Sequence, residues 1–195
     1  MKTKFVIPLV ILTIFVGSIP TLLSTVVNKE NFETRYIASG GMESTLQIND
    51  RVIIDKTKYK SQDPRRGEII LFHPTKILQA QDFKDPFIKR IIGLPREHVE
   101  IKNGGIYIDS SLLKESYIAN NTPTSIEMCT DVSGPAFLSK PITIPQNQYL
   151  VLGDNRNNSY DGRCWGLVNR TEIIGQATKI YLPFSRFGDI PIPNY

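Results

Sequence analysis

Histidine is almost missing from this 195-residue chain, which has only His73 and His98. Neither has a second ligand at a metal-binding spacing, so no metal centre is expected, and nothing calls for a cofactor. Basic residues exceed acidic ones only by 23 to 19, for a net charge of +4, and no block of five or more is basic. A nucleic-acid partner is therefore not expected. Ser39-Gly40-Gly41-Met42 lacks a following Gly-Lys-Ser/Thr and is not expected to open a helix, which excludes a phosphate-binding loop. No window carries a long amphipathic helical period. Cysteine is scarce too: Cys129 and Cys164 are the only two. They either close one disulfide loop, suited to an oxidising compartment, or stay as thiols, and the count alone leaves both open.

Apolar residues are plentiful at the N-terminus. Phe5 to Asn28 carries no charge, and Lys2 and Lys4 precede it. As a helix, Phe5–Val27 would be roughly 35 Å long, enough to cross a hydrocarbon core of ~30 Å. Lysines in front favour a cytoplasmic N-terminus and an exported remainder. Residues 1–28 are thus expected to be a single-pass anchor in a lipid bilayer. The other reading is a cleaved secretory signal ending near Val16-Gly17-Ser18. Both readings export the rest of the chain.

Thirteen Gly and thirteen Pro favour many turns and short strands, and all-β is the expected fold class. Residues 29–195 are expected to form one exported domain, with Lys29–Arg35 as a polar linker. Strands are expected at Arg51–Asp55, Glu68–Phe72, Phe87–Ile92, Val99–Lys102, Ile106–Ile108, Gln148–Leu152 and Ile173–Tyr181. Asn103-Gly104-Gly105 is a hairpin signal, since Asn and Gly accept positive φ. The polar stretch 110–140 reads as a long loop or small lobe.

Four segments could carry chemistry: Ser39 to Leu46 with Asn49-Asp50-Arg51; Arg66-Gly67-Glu68-Ile69-Ile70-Leu71-Phe72; Phe87-Ile88-Lys89-Arg90-Ile91-Ile92-Gly93-Leu94-Pro95; and Gly153 to Gly166. Lys89 stands out within an aliphatic run. Alternation puts Phe87, Lys89 and Ile91 on one face. If that face is interior, desolvation lowers the lysine pKa and the neutral amine becomes a general base; if it faces solvent, Lys89 is an ordinary edge lysine. The fourth segment reads as tight turns, in which Asp161 and Arg163 could pair as alternate residues of an extended stretch.

Together, in this order, the four segments resemble the type I signal peptidases, the serine/lysine endopeptidases that remove signal peptides from exported pre-proteins. The wording is most similar to the photosynthetic-bacterial and plastid branch. The resemblance implies a β-fold domain resting on the membrane, with extended substrate along a β-edge. It implies that Lys89 is the general base and that Ser39, with the backbone N–H at Gly41, forms the oxyanion hole. It further implies that Ser159 hydrogen-bonds and orients the lysine. Asp161 and Arg163 would brace the wall, and Ile37 and Ile88 would shape pockets for small side chains.

Departures cluster at one point. The family pattern is Ser-Gly-Ser-Met, and Gly41 stands at the nucleophile position. Ala38 and Ser44 each stand where the family usually has proline; Asn157 and Gly162 replace residues often acidic and serine. Ser39, roughly 6.5–7 Å away along an extended strand, is too far to substitute. The implied function is signal-peptide cleavage with doubtful catalysis, or a pseudoprotease that binds signal peptides or a partner peptidase. The self-cleaving repressors share a serine/lysine dyad. The N-terminal apolar segment, the Gly-Asp-Asn-Arg box and the lack of a DNA-binding domain argue against them.

Overall fold

The structure is a computed structural model that describes residues 30–118, 121–129 and 135–195. The expected anchor at 1–28 lies outside the described residues. Among those described, no helix is long and apolar enough to cross a membrane.

The described chain is mostly β, in two sheets. The larger contains β1 (Phe32–Tyr36), β2 (Arg51–Asp55), β3 (Ile69–Phe72), β4 (Phe87–Gly93), β9 (Gln148–Leu152), β10 (Val168–Asn169) and β11 (Ile173–Leu182). Its order is β1-β2-β11-β3-β4-β9-β10, with β12 (Gly188–Asp189) added on β11. The smaller holds β5 (His98–Lys102), β6 (Gly105–Ile108), β7 (Ser111–Leu112) and β8 (Ile142–Thr143), in the order β7-β6-β5-β8. Two short helices accompany them, α1 (Lys76–Ala80) and α2 (Gly162–Trp165).

Side-chain pattern explains these placements. In β2, Val52 and Ile54 are buried while Arg51 is exposed, the alternation of a strand with one covered face. β3 and β4 are central, and Ile69 to Phe72 and Lys89 to Gly93 are buried throughout; β3 reads as a continuous apolar run, and β4 does so apart from Lys89 and Arg90. Phe87 and Ile91 pack into a cluster with Phe72, Val151 and Trp165. Ile88 packs on the opposite cluster of Ile37, Met42, Leu46 and Leu71. Asn103 and Gly104 take φ of 51° and 75°, and Lys102 pairs with Gly105, giving the expected two-residue hairpin turn.

Three local expectations need correction. Lys29–Arg35 is not simply a linker: Phe32–Tyr36 forms the edge strand β1, antiparallel to β2, with Phe32 opposite Asp55. Its polar alternation hid it, because only one side of an edge strand is covered. Gly40–Met42 forms one 3-10 turn, so the extended spacing assumed between Ser39 and position 41 does not apply. Asp161 and Arg163 do pair, but by another geometry: Asp161 is the N-cap of α2, and Arg163 lies inside that helix. The described part of the stretch 110–140 is irregular apart from β7 and one 3-10 turn at Phe137–Ser139. Ile126, Met128 and Cys129 pack on the first cluster, and Cys129 is disulfide-bonded to Cys164 of α2. That bond settles the choice the cysteine count left open.

Candidate active site

Three chain segments meet around Lys89. The first is the 3-10 turn at Gly40–Met42, buried at all three residues. The second is β4, and the third is the Gly153–Tyr160 turn that follows β9. Asn155 ties the first to the third: its backbone N–H donates to the Gly41 carbonyl (3.2 Å) and its side-chain amide to the Gly40 carbonyl (3.1 Å). Gly153 lets the two come this close. A Cβ there would lie 2.1 Å from Ser159 Oγ and 2.3 Å from the Gly41 carbonyl oxygen.

Lys89 is only 6% exposed, so the solvent-facing alternative is excluded. A side chain at position 41 would point at its amine. A Cβ built on Gly41 stands 3.1 Å from Lys89 Nζ, 3.4 Å from the Asn158 carbonyl oxygen and 3.6 Å from Ser159 Oγ. Burial pushes the Lys89 pKa below its ordinary value, because the interior solvates an ammonium poorly. The Asp161 and Asp154 carboxylates oppose this and the Arg163 guanidinium adds to it, but desolvation dominates.

Ser159 is 2% exposed, and its hydroxyl has no hydrogen-bond partner among the described residues. The lysine–serine hydrogen bond implied by the resemblance is therefore not made in this structure. Ser39 is exposed at the groove mouth and makes no capping hydrogen bond. The leading N–H groups of a helical turn have no partner within it, which leaves donors beside that hydroxyl.

Buried ion pairs hold the wall. Arg163 donates from Nε to Asp161 Oδ1 (2.8 Å) and from Nη2 to Oδ2 (2.9 Å). The same carboxylate accepts from the Gly153 N–H at 2.9 Å, so it fixes the turn that carries Ser159. Arg90, next to Lys89, clamps Asp154 with bonds of 2.8 and 2.7 Å and also reaches the Gly67 carbonyl. Arg156 clamps Glu115 from the 110–140 stretch. Sequence reasoning missed the Arg90–Asp154 and Arg156–Glu115 pairs. The signal available was Arg90 within an apolar run, since a charged group there demands a buried partner; nothing comparable marked Arg156 or Glu115.

A groove of 610 Å³ opens over this centre, lined by Tyr36 to Gly41, Asp82 to Lys89 and Asn158 to Tyr160. It follows the end of edge strand β1. Ile37 and Ile88 both line it, so the structure brings together every position singled out for the site except Asp161 and Arg163, which stand behind its wall. Among the described residues, no group of three or more His, Cys, Asp or Glu could hold a metal ion.

Sequence comparison decides the family. A profile described as "Signal peptidase, peptidase S26" matches residues 5–182. The chain belongs to the signal peptidase S26 family. This S26 chain is 48% identical over 156 residues to a probable signal peptidase I-2 from Synechocystis sp., covering 80% of this chain and 66% of that one. To a signal peptidase I from Leptolyngbya laminosa it is 43% identical, covering 84% and 75%. A crystal structure of a signal peptidase I from Enterococcus faecalis V583 is 30% identical and covers 60% of this chain and 98% of that one, at a TM-score of 0.43. The S26 family is one of hydrolases of the peptidase class, and these two relatives are cyanobacterial.

Proposed function

We propose that this chain binds the signal peptides of exported pre-proteins in the 610 Å³ groove, as an extended segment beside β1, and lacks the nucleophile to cleave them efficiently. The observation that carries this reading is the 3.1 Å between a Cβ at Gly41 and Lys89 Nζ. A hydroxymethyl group there would deliver its proton to the amine, and glycine offers none. In this reading Lys89 is the general base, the Ser39 hydroxyl and Gly41 N–H form the oxyanion hole, and Ile37 and Ile88 bound the small-side-chain pockets. Ser159 borders the same space as the lysine amine, and Asp161 with Arg163 fixes the turn that carries Ser159.

Losing the nucleophile of a triad protease costs about 10⁶-fold, or about 8 kcal/mol of transition-state stabilisation. The test gives membrane-embedded protein a pre-protein with a small-x-small cleavage site. Gly41→Ser is expected to cleave at least about 10³-fold faster than the native chain. Equal rates would overturn the pseudoprotease reading. Signal-peptide binding by the uncut native chain supports it.

We also infer that residues 1–28 anchor the chain in a bilayer with the domain on the exported side. The uncharged stretch Phe5 to Asn28 behind Lys2 and Lys4 supports this, as does a disulfide in the exported part. Protease added to sealed vesicles should digest the domain only from the exported face. Digestion solely from the cytoplasmic face would reject the topology.

A further inference from the structure

A glycine at position 41 removes a nucleophile, but it also leaves the groove open to a base that no side chain at 41 covers. Three polar atoms border that space: Lys89 Nζ, the Asn158 carbonyl oxygen and Ser159 Oγ, at 3.1, 3.4 and 3.6 Å from where a Cβ would stand. Ser159 Oγ is the independent sign that something belongs there. It is buried at 2% exposure and makes no hydrogen bond among the described residues, although a buried hydroxyl normally finds a partner. A small oxygen compound needs a polar, roomy site with two to four partners, and this one opens into the groove.

We propose that the space beside Gly41 binds a free hydroxyl compound, water or a small primary alcohol, which Lys89 deprotonates and which attacks the scissile carbonyl in place of a tethered hydroxyl. The inference rests on the signal-peptide reading of the same groove. A free oxygen cannot occupy the Cβ position itself. It stands about 3.3 Å from the Gly41 Cα, displaced toward the groove where the scissile carbonyl would lie. From there it can donate to Lys89 Nζ and exchange hydrogen bonds with Ser159 Oγ.

The step balances without any further reagent. The hydroxyl oxygen bonds to the carbonyl carbon while its proton passes to Lys89 Nζ. Collapse of the tetrahedral intermediate breaks the C–N bond, and the departing amine takes that proton. Water leaves a carboxylic acid on the signal peptide and methanol leaves its methyl ester. No acyl-enzyme forms.

Tethering sets the expected rate. Effective molarities of intramolecular groups reach about 10⁵ M and more, so methanol at about 1 M should act at about 10⁻⁵ of the Gly41→Ser rate. With a typical serine-dependent turnover of about 10 s⁻¹, that is about 10⁻⁴ s⁻¹, a half-time of about two hours. The full-length chain in detergent micelles would be incubated with labelled pre-protein and increasing methanol. Anisotropy reports binding and mass spectrometry reports the released C-terminus. Methyl ester should rise in proportion to methanol, and the acid form should persist without it. Gly41→Ala, whose methyl group fills the space, and Lys89→Met should each lose both products while still binding peptide. Bound peptide with no ester, or equal ester from Gly41→Ala, overturns this inference alone. Failure to bind peptide at all overturns the signal-peptide reading, and the inference falls with it.

Discussion

Replacing Lys89 by methionine should change how stability depends on pH, in a direction fixed by burial. The lysine sits on β4 at 6% exposure, and desolvation holds its pKa below the ordinary 10.5 despite Asp161 and Asp154. In the unfolded chain the amine keeps its proton up to about pH 10.4. Between the folded and unfolded pKa values, the unfolded state therefore binds about one proton more. Stability rises with pH across that window and is lost as pH falls toward the folded pKa, by about 1.4 kcal/mol per pH unit. Lys89→Met has a similar length and no titrating group, so its curve should lack that slope. The difference between the two proteins isolates the lysine, since other titrating groups cancel. Urea unfolding of the full-length chain in micelles, at intervals up to the unfolded pKa of about 10.4, measures it. Native protein should gain on Lys89→Met as pH rises between the folded pKa and the unfolded one. Parallel curves would refute the argument, because they would mean Lys89 keeps its proton in the folded state.

Two other substitutions test the frame around the amine. Asp161→Ala leaves the Arg163 guanidinium buried without its bidentate partner and strips the Gly153 N–H of its acceptor, and should cost about 3–5 kcal/mol in denaturant unfolding. A loss below about 1 kcal/mol would mean the pair is solvated. Gly153→Ala drives a methyl group to within 2.1 Å of Ser159 Oγ and 2.3 Å of the Gly41 carbonyl oxygen. Overpacking should cost about 1–3 kcal/mol, and in a Gly41→Ser background it should depress kcat more than it raises KM. A fully active double variant would show that the two turns need not meet so closely.

Much of the sheet was legible in the chain. Arg51–Asp55 and Gln148–Leu152 match their expected bounds, and the other long strands differ by a residue or two at their ends. Each of these runs is dense in branched aliphatic residues between turn formers, so burial and local preference agree. β1 escaped notice because Glu33 and Arg35 pair with each other on a half-open edge, which carries no apolar signature. The turn at Gly40–Met42 also escaped, since one 3-10 turn has too few residues to leave a period. The Asp161–Arg163 pair was expected for a reason the helix cap replaced.

Residue identity alone determined the chemistry on offer at the site: an amine within an aliphatic run, and no hydroxyl at position 41. It also determined the family, because ordered segments of matched wording survive without any coordinates. Tertiary structure decided whether that amine is in water or out of it. A strand period leaves both faces open until β3 and β9 flank β4 and clusters close over it. Structure likewise decided that position 41, Lys89 and Ser159 meet, and that Ser159 lacks the partner expected for it. Those facts depend on contacts between residues far apart in the chain, where local preference has no reach.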